Sequence, residues 1–139
     1  MSEIDAGTAL RRAAELSAAT RRAGRWYTIY LTIFAVATFA MCIGFGLIGG
    51  RWGAIVLTPI WVLLVAALST WAVRQRSAVA GMGRIHAWVI GSWAVAWGVT
   101  VFVGGFFFPQ TLAWWVLGAV LTTIPPAIGA VVVARRTRP

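Results

Sequence analysis

Acidic side chains are nearly missing from this chain: Glu3, Asp5 and Glu15 are its only three among 139 residues, all within the first fifteen. A paired-carboxylate mechanism deeper in the chain is thereby excluded unless a partner supplies the acid. Lysine is absent, so all twelve basic residues are Arg; with the abundance of Ala, this reads as genomic base composition rather than chemistry. The single cysteine, Cys42, cannot close a disulfide within its own chain or run dithiol chemistry, and its default role is that of a small hydrophobe. His86 is the only histidine. A lone His can serve as a proton switch or an axial haem ligand, but at the end of an apolar run it reads as an interfacial anchor, and bis-histidine haem binding would need two chains. No Cys and His spacing resembles a metal site, and Gly81-Met82-Gly83 lacks the preceding strand and following Lys of a phosphate loop. No metal and no cofactor is expected, and the general acid, base and nucleophile of an enzyme lack candidates.

Charge is scarce altogether. Only 11% of residues are charged and 60% are hydrophobic, where soluble domains carry about a quarter charged. Charge-free sequence runs over 26–50, 52–73 and 85–134. A hydrocarbon core of about 30 Å needs about 20 apolar residues per helix, so these blocks predict one, one and two spans. The expected fold is all-α: an integral membrane four-helix bundle of two transmembrane hairpins, with spans near 26–48, 52–73, 85–108 and 112–134. An Arg-rich amphipathic helix over 1–25 precedes it and a basic tail over 135–139 follows. Too few residues remain for a soluble domain.

In the N-terminal arm, Ala6, Ala9, Ala13, Leu16 and Ala23 share one helical face and Arg11, Glu15, Arg22 and Arg25 gather opposite. This arm is expected to act as a topology-setting flank, lying on anionic lipid, pairing with another helix or remaining partly disordered. The apolar run behind it is too long for the core of a cleavable signal peptide. Gly49-Gly50-Arg51 ends the first span, and Thr111 is placed to cap the fourth.

The net charge of +9 invites a nucleic-acid reading, but topology explains it better and no nucleic-acid partner is expected. Arg11, Arg12, Arg21, Arg22, Arg25, Arg74, Arg76, Arg84, Arg135, Arg136 and Arg138 fall on one side of the predicted spans, and Arg51 alone on the other. By the positive-inside rule both termini and the central loop belong in the cytoplasm of a bacterial inner membrane, with this rim facing anionic headgroups or a partner. Tryptophan placement agrees: Trp26, Trp71 and Trp88 fall at inner ends and Trp52, Trp114 and Trp115 at outer ends, while Trp61, Trp93 and Trp97 lie deeper.

Two features point to contacts. Ala87, Gly91, Ala94, Gly98 and Gly105 recur at helical spacing along the third span, a small-residue face that another backbone can approach closely. Pro59, Pro125 and Pro126 predict helix breaks. The last two free the carbonyls of Leu121 and Thr122 near mid-span, beside the hydroxyls of Thr122 and Thr123.

The leading expectation is an interaction or accessory subunit that docks through the third span, in a homo-oligomer or on a larger membrane protein. The alternative is a small oligomeric channel or transporter, with the Pro125-Pro126 break and Trp61, Trp93 and Trp97 along its path. A proton-coupled small multidrug exporter has this size and span count, but that family carries a membrane Glu in its first helix, which this chain lacks. In outline, with its Arg-rich arm, two hairpins and basic loop, the chain resembles the small four-span membrane proteins of GC-rich bacteria. That resemblance implies the architecture and carries over no functional residues.

Overall fold

The computed structural model describes residues 3–74 and 82–136, which form four α-helices: α1 (Glu3–Ile48), α2 (Gly50–Arg74), α3 (Met82–Phe107) and α4 (Leu112–Arg136). Each contains a segment long and apolar enough to cross a membrane. The N-terminal arm and the first span are one continuous helix of 46 residues, about 69 Å at 1.5 Å per residue. No proline occurs before Pro59, and nothing at Arg25-Trp26 interrupts the hydrogen-bond ladder. No side chain of residues 6–22 is buried, and burial begins at Ala23 and Gly24.

The chain leaves α1 through Gly49, whose φ of 61° lies in the left-handed region and whose N–H donates to the Phe45 carbonyl at 2.9 Å. Gly50 follows with φ 53°. Glycine tolerates this geometry and a Cβ would strain it, which is why a Gly pair ends the helix so abruptly. At the other hairpin the Thr111 N–H donates to the Phe108 carbonyl at 3.2 Å, and the Thr111 carbonyl accepts the Trp114 N–H at 3.0 Å, placing Thr111 at the N-cap position before Leu112.

Consecutive helices run antiparallel. Trp26 of α1 meets Trp71 of α2 at one end, where Tyr27 also bonds His86 of α3. At the other end Gly46 faces Trp115 and Gly104 faces Trp114. α1 and α4 share the most extensive interface, α3 packs on α4, and α2 packs on α1. The order around the bundle is therefore α2, α1, α4, α3, with the ring of Trp61 bridging α2 back to Trp93 and Trp97 of α3. Buried positions repeat every seven residues in both central helices: Gly24, Leu31 and Thr38 with Tyr27, Phe34 and Met41 in α1, Trp115, Thr122 and Gly129 with Ala119, Pro126 and Val133 in α4. A period of 3.5 is that of helices winding shallowly around each other, and it makes the α1–α4 seam the spine of the fold.

Small residues on α4 let its neighbours close in. A Cβ built on Gly129 would sit 2.7 Å from Val89 Cγ2 and 3.0 Å from Leu31 Cδ1, and one on Gly118 would overlap Thr100 Cγ2. Helix α2 is the least embedded; among its described side chains and glycines, Gly53 and Trp61 are the buried positions. The prolines do not end their helices. α2 continues through Pro59, which is exposed, and α4 through Pro125-Pro126, which are buried in the seam. Helical backbone thus runs through all three positions, and the pyrrolidine rings of Pro125 and Pro126 serve as packing surface in α4.

Candidate functional site

Chemistry-bearing side chains are few among the described residues, and they bond within their own helix or to a neighbouring one. The hydroxyl of Thr122 donates one turn back to the Gly118 carbonyl at 2.7 Å, and that of Thr123 to the Ala119 carbonyl at 2.6 Å. Neither meets the carbonyls of Leu121 and Thr122 that the prolines leave without a helical donor. With the Thr122 proton directed backward, the Cys42 thiol, 3.6 Å from Thr122 Oγ1, is left as donor across the seam. His86 Nδ1 lies 2.9 Å from the Tyr27 hydroxyl, a hydrogen bond that ties α3 to α1. Among the described residues, no three His, Cys, Asp or Glu side chains come together as a metal site.

Aromatic rings fill the interior from one end to the other. Tyr27 stacks on Tyr30 at 5.8 Å, Tyr30 on Phe34 at 6.3 Å, and Phe34 meets Trp93 edge-on at 4.8 Å. Trp61 stacks on Trp97 at 5.1 Å, Trp97 meets Phe45 at 6.3 Å, and Phe45 stacks on Trp115 at 5.4 Å. The deep tryptophans Trp61, Trp93 and Trp97 therefore pack on one another between α1, α2 and α3, as ring faces filling a core. Trp115, expected at the outer belt, is turned inward and 3% exposed. Gly46 makes room for it: a Cβ there would lie 2.8 Å from the Trp115 Cβ. Trp52 and Trp88 project outward. The Nε1 atoms of Trp26, Trp93 and Trp115 and the hydroxyl of Thr38 are buried without a hydrogen-bond partner.

The small-residue face of α3 points away from the bundle. Ala87, Gly91, Ala94, Gly98 and Gly105 are all exposed, and a Cβ on Gly91, Gly98 or Gly105 would meet nothing within 4 Å. The glycines that the bundle itself uses for close approach are different ones, Gly46, Gly104, Gly118 and Gly129. Sequence reasoning missed them. No sequence signal separates them from the exposed glycines of α3, since both sets lie among apolar residues on every side.

The arginines are exposed wherever they are described: Arg11, Arg12, Arg21, Arg22 and Arg25 along α1, Arg74 at the end of α2, Arg84 in the first turn of α3, and Arg135 and Arg136 at the end of α4. Arg76 lies outside the described residues. Arg21, Arg22 and Arg25 border an opening of about 530 Å³ between α1 and α4, with Thr28, Ile29 and Ala134. Arg84 and Arg136 border a second of about 620 Å³ between α3 and α4, beside Trp88, Ile128 and Val132. No known protein family, curated protein or solved structure matches this chain.

Proposed function

We propose that this chain is a multi-pass protein of a bacterial cytoplasmic membrane, acting as an interaction or accessory subunit that receives another membrane helix on the small-residue face of α3. One observation carries the docking role: five small residues form an exposed strip that the bundle's own packing leaves unused. In lipid, helices associate through close backbone approach rather than hydrophobic drive, and such a strip is the surface that permits it. The membrane reading is supported by what the bundle turns outward. Val95 and Phe102 of α3, Val62 and Leu63 of α2, and Val120 and Val131 of α4 are exposed, an apolar exterior suited to hydrocarbon rather than water.

Orientation follows from the Arg imbalance: the end that carries Arg84 and Arg136 faces the cytoplasm, with both termini and the 75–81 connection on that side. A reporter fused after Pro139 should read as cytoplasmic. Gly91→Leu and Gly98→Leu test the docking role. Neither glycine's added Cβ meets anything inside the chain, so both variants should fold and melt no lower than wild type, yet complexes extracted from native membranes should lose mass. Unchanged complexes in both variants would remove the proposal. Flux across liposomes holding this protein alone should be absent for an accessory subunit, and solute flux there would favour a channel or transporter instead.

A further inference from the structure

We infer that the α1–α4 crevice is a binding site for one anionic phospholipid of the cytoplasmic leaflet, its phosphate held by Arg21, Arg22 and Arg25 and an acyl chain laid in the groove below them. The inference rests on the membrane reading above. Two openings lie end to end along the same pair of helices. The first is bordered by the three arginines and by Thr28, Ile29 and Ala134. The second, of about 400 Å³, begins one turn further along both helices, at Thr32 of α1 and at Ala130 and Val131 of α4, and ends at Phe39 and Thr123. Its walls are almost wholly apolar. Small side chains, Ala35 and Ala127 among them, keep it open.

Length and charge both fit a lipid. From Ile29 to Phe39 the helix rises about 15 Å, which is half of a hydrocarbon core of about 30 Å and so the depth of one leaflet. The arginines begin one turn above Ile29 and climb another 6 Å or so to Arg21, across the headgroup level. Arg25, Arg22 and Arg21 are exposed, and the nearest carboxylate along the helix is Glu15, two turns beyond Arg22. Twelve arginines face three acids in the whole chain, so the counter-charge at this crevice must come from outside the protein. A phosphodiester is the anion that a membrane surface supplies, and a guanidinium matches it with paired N–H donors.

The test uses full-length protein, purified in detergent, stripped of lipid and titrated with mixed micelles of phosphatidylglycerol or phosphatidylcholine, with retained lipids counted by native mass spectrometry. Wild type should retain one phosphatidylglycerol in preference to phosphatidylcholine. At about fivefold per Arg near a membrane surface, the triple variant Arg21→Gln, Arg22→Gln, Arg25→Gln should bind it roughly a hundredfold more weakly. A charge-matched variant, Arg11→Gln, Arg12→Gln, Arg136→Gln, should stay within about threefold of wild type. Ala127→Phe fills the groove without altering charge, and Ala127 is exposed, so this variant should fold and lose the bound lipid. Equal losses in the two triple variants would reduce the site to diffuse attraction and overturn it, as would an undiminished lipid in Ala127→Phe. A chain that needs detergent but shows no headgroup preference refutes this site alone. A chain that stays monomeric in water without detergent refutes the membrane reading beneath it.

Discussion

Adding one methyl group to a helical glycine should move stability in opposite directions at the two kinds of glycine in this bundle. In a helix interior Gly→Ala gains about 1 kcal/mol by restricting the unfolded backbone and improving helix propensity. At Gly91 and Gly98 nothing offsets that gain, because the new Cβ meets no atom within 4 Å. At Gly129 the methyl would press on Val89 and Leu31, both fully buried. At Gly118 it would overlap Thr100, whose rotamer is held by its hydroxyl donating to the Ala96 carbonyl at 2.8 Å. Overpacking of this kind costs about 1–3 kcal/mol. Gly91→Ala and Gly98→Ala should therefore be stabilised by about 1 kcal/mol, and Gly118→Ala and Gly129→Ala should range from neutral to destabilised by about 2 kcal/mol. The separation between the classes is about 1–3 kcal/mol, several degrees in melting temperature. Unfolding of the four purified variants in one detergent, by heat or by titrated dodecyl sulfate and followed by circular dichroism, measures it. If Gly129→Ala and Gly91→Ala shift in the same direction by the same amount, α4 is not the close-packed centre and the assignment of inner and outer glycines is wrong.

The hydrogen bond between Tyr27 and His86 should appear as a coupling of about 0.6 kcal/mol in a double-mutant cycle of Tyr27→Phe with His86→Leu, near the average for polar contacts between membrane helices; additive effects would mean that the two rings merely adjoin. Deleting residues 1–20 should leave the melting of the bundle within about 0.5 kcal/mol of wild type, because no described side chain among them is buried; a larger loss would show that the arm folds back onto the helices.

The extents of the helices were legible in the sequence. Freedom from charge is a one-dimensional property, so the expected spans 52–73, 85–108 and 112–134 fall within two or three residues of α2, α3 and α4. Continuity of the arm with the first span was less visible, because its arginines mark a change of composition and not a change of backbone conformation. The missing proline before Pro59 was the better guide. Which way each helix faces could not be read. When every side of a helix is apolar, periodicity carries no inward direction, and the small residues of α3 and α4 look alike until Val89 and Thr100 are seen lying against Gly129 and Gly118. The arginine grooves escaped for a related reason, since Ala134 and Arg22 are far apart in sequence and meet only because α4 lies along α1.

Because α1 has no hinge along its 46 residues, it works as a lever arm with its fulcrum near Gly24. A twist applied at Leu10 or Leu16 by anything gripping the exposed arm has no loop in which to dissipate. It arrives as rotation of the Tyr27, Leu31 and Phe34 face against α4, carrying the aromatic stack with it. Torque applied to the arm would thereby be geared directly to the spine of the bundle.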